Sequence, residues 1–287
     1  MARTEVTLAG QVVAITGAAR GIGRATAHAC QRAGMRVAVG DIDAEGAERT
    51  AAELGVNAMG GHVDVTDRAS FAAFLDEVEQ RLGPLDVLVN NAGIMPLGPL
   101  VSEDDDSTRR QIEINVVGVL NGMKEAIARM TARGRGHIVN VASTAGKGGF
   151  AGAVTYCGTK HFVVGASEAA RAELRGSGIE FSCVMPGVVN TELASGLKPA
   201  RGVKNSEPGD VADAIIDALR HRRFDVYVPR AIGTIGAVFG AMPRSVREAA
   251  ARAMRADRLL AEADMQARAG YERRASASAP ERMTIDG

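Results

Sequence analysis

The sequence predicts a doubly wound α/β fold on a parallel sheet, and three observations predict it. Short apolar runs rich in β-branched residues recur along the chain, and longer segments with apolar residues three and four apart lie between them. The short runs are also apolar at nearly every position. A strand with one face in water alternates apolar and polar residues, whereas a continuous apolar run belongs to a parallel sheet covered by helices on both faces.

The first strand is expected in QVVAIT (11–16), and the helix after it, RGIGRATAHACQRAG, ends at Gly34. MRVAVG (35–40) is the second strand and leads into the helix DAEGAERTAAELG. NAMGGHVDV (57–65) holds the third, followed by DRASFAAFLDEVEQRLG with Asp67 as its N-terminal cap. DVLVNNAG (86–93) is a buried strand running into a turn, and SEDDDSTRR (102–110) places its acidic residues in the first turn of a helix, where the macrodipole favours them. HIVNVAS (137–143), IEFSCVMPG (179–187) and FDVYVP (224–229) bring the total to about seven strands. The alternation stops beyond residue 230. Residues 230–262 read as a helical extension forming a lid or an interface, and 263–287, with the stretch RRASASAPERMTIDG, as a flexible tail. Residues 222–258 hold eight arginines against three acidic residues beside the apolar AIGTIGAVFGAM, which suits an element lying over the substrate mouth, a partner subunit or a membrane surface.

Composition narrows the function. The 287 residues carry 34 Lys plus Arg and 34 Asp plus Glu, a formal charge of zero, so the basic excess of a nucleic-acid protein is missing. Three widely spaced cysteines without a C-x-x-C pair predict reduced thiols, not a disulfide frame or a zinc site. His28, His62, His137, His161 and His221 show no ligand-like spacing, so no metal is expected. MARTEVTLAG has no apolar core of a secretory signal, and no stretch approaches the ~20 apolar residues that span a bilayer, which predicts a cytoplasmic protein with at most peripheral membrane contact.

TGAARGIG (16–23) falls between the first strand and first helix, with glycines at 17, 21 and 23. Glycine allows the tight turn and the close approach of a diphosphate, and the helix start favours negative charge. This makes the expected fold a single-domain Rossmann-type, dinucleotide-binding one over residues 1–229. The second strand ends in VGDID, where an acidic residue accepts from the adenosine ribose hydroxyls and repels a 2′-phosphate. Asp41 therefore favours NAD, Arg20 pulls towards NADP, and the carboxylate outweighs it; Asp43 is the cap of the next helix. In VTYCGTKHF (154–162), Tyr156 and Lys160 stand four apart, one above the other on a helix, so an ammonium beside the phenol would favour the phenolate.

These motifs resemble the short-chain dehydrogenase/reductase family over about residues 10–229. TGAARGIG resembles its glycine loop, including Gly17, Arg20, Gly21, Ile22 and Gly23; Asp64–Val65 its adenine-contacting pair; and NNAG, with Asn91, Ala92 and Gly93, its fourth-strand motif beside the nicotinamide ribose. PGVVNT resembles the segment on the nicotinamide carboxamide, with Pro186, Gly187, Val189 and Thr191. Asn115, Ser143, Tyr156 and Lys160 match the family's catalytic set. The resemblance implies that Tyr156 is the acid/base, Lys160 lowers its pKa and holds the ribose, Ser143 fixes the substrate oxygen, and Asn115 organises a proton-relay water. It also implies a homodimer or homotetramer.

The expected function is hydride transfer between a nicotinamide cofactor, NAD before NADP, and a lipophilic secondary alcohol or ketone. Met95, Leu97, Phe150, Val188 and Leu193 are the expected substrate wall, with little charge beyond Lys147. An NADP-dependent 3-ketoacyl or ketone reductase is the alternative within this chemistry, and a dinucleotide-sensing regulator the alternative outside it. Cys157 has no partner base nearby in sequence and is expected to be a packed thiol.

Overall fold

A computed structural model describes residues 5–197, 205–253 and 260–277. Seven strands form one sheet: β1 Val12–Thr16, β2 Arg36–Asp41, β3 Ala58–His62, β4 Leu85–Asn90, β5 Gly136–Val141, β6 Ile179–Pro186 and β7 Asp225–Val228. Their order is β3-β2-β1-β4-β5-β6-β7, and every neighbouring pair is parallel. The chain leaves β1 towards β2 on one side and returns to β4 on the other. That reversal opens a crevice beyond the carboxyl ends of β1 and β4, where sheets of this kind bind ligands.

Helices α1 Gly21–Arg32, α2 Ala44–Leu54 and α7 Pro208–His221 belong to one layer, and α3 Arg68–Leu82, α5 Gly118–Thr131 and α6 Val154–Glu173 to the other. The strands supply both cores in alternation. Val12 and Ala14 of β1 join Phe71, Leu75, Met123 and Phe181, whereas Val13 and Ile15 join Ala27, Cys30, Ile215 and Leu219. Both sets are buried, which is why β1 is apolar from Val12 to Ile15. Asp43 and Asp67 cap α2 and α3, accepting from the amides of Gly46 and Ala69. Asp104 caps α4 (Asp105–Ile112), the helix into which the acidic run falls.

Two polar groups are built into the sheet. Asn90 donates to Asn140 at 2.8 Å, and Asn140 donates to Ser167 of α6 at 2.9 Å, which ties β4, β5 and α6 together. His137 of β5 meets the Ser182 hydroxyl at 2.8 Å, and burial, then the charge of Arg222, pushes its pKa down to about 3. The unfolded chain takes up this proton near pH 6.5, the folded chain not until about 3, so stability is intact above pH 6.5 and falls as pH drops towards 3. At pH 5 this one group should cost about 2 kcal/mol. Urea midpoints at pH 7 and pH 5 check it: His137→Phe should lose less between the two pH values than the parent protein, whatever its absolute stability.

The C-terminal region departs from expectation. α8 (Arg230–Ala241) packs on β7, with Gly233 against the Tyr227 ring, and α9 (Arg244–Ala253) follows. The expected tail from residue 263 instead contains a helix, α10 (Met265–Ala277), with Arg268, Tyr271 and Ala275 buried. The guanidinium of Arg268 bonds the carbonyls of Met95, Leu193 and Ser195, so its burial is satisfied and a polar-looking segment docks on the core. Of the arginines in the 222–258 stretch, Arg255 and Arg258 lie outside the described residues. No helix among the described residues is long and apolar enough to cross a membrane.

Candidate active site

The crevice is held open by the glycine loop. Gly17 has φ +64° and lies so close to the end of β4 that a Cβ there would stand 2.7 Å from the Cα of Ala92. Thr16 Oγ1 accepts from the amides of Asn91 and Ala92, and Asn91 Nδ2 donates back to the carbonyls of Thr16 and Gly17 at 2.9 Å each. Asn91 thus braces the loop. The first turn of α1 receives no side-chain cap, so its amides are available to an anion.

Asp41, at the end of β2, is buried and accepts from the Ala19 amide at 3.0 Å and the Asp43 amide at 3.1 Å. Arg20 is held by Asp43 at 2.6 Å, with Glu192 3.9 Å away. Asp64 accepts from both the amide and hydroxyl of Thr66.

These residues line a cavity of about 570 Å³, within the range of small-molecule and cofactor sites. Gly17, Arg20, Gly21, Ile22, Asp41, Asp64, Val65, Asn91, Ala92 and Gly93 border one part of it. Ser143, Tyr156, Lys160, Pro186, Gly187, Val189 and Thr191 border it as well, and so do the apolar Met95, Phe150, Val188 and Leu193. Of the expected site residues, Gly23, Leu97 and Asn115 stand back from it among the described residues. Gly23 is buried where α1 crosses the loop, with no space for a Cβ against Gly17 and Asn91.

Ser143 follows β5 in extended backbone, caps the next turn by accepting from the Ala145 amide at 3.1 Å, and donates to the Pro186 carbonyl at 3.4 Å. Tyr156 and Lys160 share the buried face of α6. The ammonium stands over the tyrosine ring, 5.7 Å from its centre, and donates to the Val141 carbonyl at 2.9 Å. Burial pushes Tyr156 up to about 12, with the Ser143 hydroxyl pulling the other way, and burial pushes Lys160 down to about 8. In the protein alone desolvation is the larger influence on both groups.

Asn115 lies in a π-helical turn, Glu113–Val117, that joins α4 to α5. Its carbonyl accepts from the Ile94 amide and its amide donates to the Ile94 carbonyl, both at 2.9 Å, with a further bond to Thr159 at 3.1 Å. The side chain is thus a brace for the loop after β4, spent on backbone and helix. Lys147 is likewise outside the cavity, paired with Glu168 at 3.0 Å, and Leu97 packs behind the wall with Cys157 and Leu260. Burial raises the Cys157 thiol, as a packed cysteine requires. His161 is exposed.

The wall that sequence reading missed comes from the C-terminus. Leu260, Tyr271, Arg274 and Ala275 border the cavity, and Arg274 pairs with Glu192 at 2.8 Å. Among the described residues of the expected lid, 230–262, Leu260 borders the cavity and no part of α8 or α9 does, while α10 beyond that segment supplies the rest. Spacing alone carried a signal, since residues 268, 271 and 275 recur on one helical face, but Arg and Tyr there read as surface.

The residues present fit a nicotinamide dinucleotide: a glycine turn with no space for side chains, an uncapped helix start, and a buried carboxylate at the end of β2. A family model described as short chain dehydrogenase matches residues 11–202. Sorbitol dehydrogenase of Cereibacter sphaeroides is 44% identical over 191 residues, 66% of this chain and 75% of that protein. Trans-4-hydroxycyclohexanecarboxylate dehydrogenase of Sinomonas cyclohexanicum is 36% identical over 229 residues, 75% of this chain and 88% of that protein. The crystal structure of a short chain dehydrogenase/reductase from Burkholderia phymatum in complex with NAD superimposes with a TM-score of 0.74 at 27% identity, covering 81% of this chain and 93% of that one.

Proposed function

Because the chain belongs to the short-chain dehydrogenase/reductase family and is an oxidoreductase of alcohols and ketones, we propose that it interconverts an apolar secondary alcohol and its ketone with NAD. The observation that carries the substrate class is the wall around the Ser143–Tyr156 pair. Met95, Phe150, Val188, Leu193, Leu197, Leu260 and Ala275 offer a carbon skeleton apolar contact, which suits a carbocyclic or aliphatic substrate better than a polyol.

The cofactor, when bound, supplies or accepts the hydride. Ser143 donates to the substrate oxygen at the carboxyl end of β5 and so stabilises negative charge developing there. Tyr156 exchanges the proton of that oxygen. As a phenol held neutral by burial it is ready to protonate a ketone, and alcohol oxidation requires further positive charge beside it, which an oxidised nicotinamide would bring next to Lys160. Asn115 keeps the β4 loop in place.

Asp41 supports the NAD reading. Its carboxylate is fixed by two amides where an adenosine ribose is expected, and Arg20, the group that would greet a 2′-phosphate, is engaged by Asp43. NADH should bind at least about tenfold tighter than NADPH, and Asp41→Ser should narrow or reverse that ratio. Fluorescence titration of both reduced cofactors decides it, and tighter NADPH binding by the unmodified protein would overturn it. The substrate class is tested by turnover with NAD across cyclic and aliphatic secondary alcohols and sorbitol. Faster use of sorbitol than of every apolar alcohol would sink the apolar reading.

A further inference from the structure

Tyr271 is a hydroxyl in the substrate wall that the proposed chemistry does not use. It stands on α10, is 9% exposed and borders the cavity. Its oxygen accepts from the Met95 amide at 2.7 Å. A phenol can accept and donate at once, and among the described residues its O–H finds no acceptor. Burial pushes its pKa up, so it keeps this proton at neutral pH.

The position of this donor is fixed. Arg268, one turn earlier and fully buried, donates to the carbonyls of Met95 at 2.7 Å, Leu193 at 2.8 Å and Ser195 at 3.0 Å, with Glu272 closing the pair at 2.9 Å. The guanidinium also lies 4.9 Å from the centre of the Tyr271 ring. The latch holds α10 against the loops after β4 and β6, so the phenol is oriented before any substrate arrives. A buried donor lacking a partner, in an otherwise apolar wall, is a place for an acceptor.

We propose that Tyr271 is a specificity-determining residue that donates a hydrogen bond to a second substrate oxygen, distinct from the reacting oxygen held by Ser143 and Tyr156. The substrate class becomes a secondary alcohol or ketone with an apolar skeleton and one further accepting oxygen, as hydroxyl, carbonyl or ether. This rests on the alcohol–ketone reading above. A site built to bond an oxygen discriminates strongly against the analogue that lacks it, because its own polar group is then left unpaired.

The test uses the intact protein loaded with NADH and measures binding of cyclohexanols by fluorescence. Each ligand carries a hydroxyl, a methoxy or a methyl group at ring position 2, 3 or 4. At one position at least, the hydroxyl and methoxy compounds should bind about tenfold or more tighter than the methyl compound, since both keep the acceptor. In Tyr271→Phe that preference should collapse to within about threefold, while NADH affinity stays. Weakening of all three ligands by the same factor would reduce Tyr271 to packing and overturn the proposal. Tyr271→Phe strands the Met95 amide, so if it does not fold, Tyr271→Gln takes its place. It keeps an acceptor for that amide and draws the donor back from the cavity. Equal affinities in the parent protein, or a preference unchanged in the folded variant, refute the role of Tyr271. Turnover of any of these alcohols with NAD would leave the alcohol–ketone reading standing even then, so the two failures are distinguishable.

Discussion

Tyr156→Phe should lower turnover by about 10²–10⁴-fold while NADH affinity changes less than about threefold. Phenylalanine keeps the ring that packs with Met95, Ala145, Ala153 and Leu260, and removes only the transferable proton. Lys160 should stay in place, because its ammonium is anchored on the Val141 carbonyl and not on the phenol. Single-turnover hydride transfer with an active substrate is the readout. A near-normal rate would mean that another group exchanges the proton and would remove Tyr156 from the mechanism. Because burial favours the neutral phenol, ketone reduction should persist into the alkaline range, whereas alcohol oxidation, which needs the phenolate, should fall as pH drops.

Arg268→Ala should have the largest structural effect of any single change outside the sheet. It leaves the carbonyls of Met95, Leu193 and Ser195 without their guanidinium and Glu272 without its buried partner. Breaking a buried, hydrogen-bonded charge pair from one side costs about 3–5 kcal/mol. Most of that loss should fall on the docking of α10, since the sheet cores do not depend on Arg268. Amide exchange over 265–277 should become fast while the strands stay protected, and KM for substrate should rise about tenfold or more with NADH affinity little changed. Unaltered protection of α10 would mean the helix is held by its apolar contacts alone. Arg268→Lys should recover part of the loss, since an ammonium can serve one or two of the carbonyls but lacks the planar fork that reaches all of them.

The sheet was legible because each strand carries its own evidence. β1 and the central runs of β4 and β5 place consecutive apolar residues on both faces, and only burial on both faces makes use of such a run. The cofactor end was legible for a related reason. A turn that leaves no space at Gly17 and Gly23 must be written in glycine, and the carboxylate that fixes it must end the next strand, so residue type and spacing report the geometry directly. Tyr156 and Lys160 share a helix face, so their common burial follows from the number of residues between them.

What a side chain does at the far end of a hydrogen bond was decided by tertiary structure. The sequence placed Asn115 near the chemistry, but its bonds to Ile94 come from a chain segment 21 residues away and turn it into a brace. Lys160 stands over the Tyr156 ring but donates to the Val141 carbonyl, and burial, which no local pattern reports, decides the direction of both pKa values. α10 is the clearest case. Arg268 and Tyr271 find their partners at Met95, 173 and 176 residues earlier. A sequence by itself determines what is repeated locally: strand periodicity, glycine turns, caps and helix faces. An arginine becomes a core residue only when folding brings carbonyls from distant loops to one point, because its burial is favourable with those acceptors present and prohibitive without them.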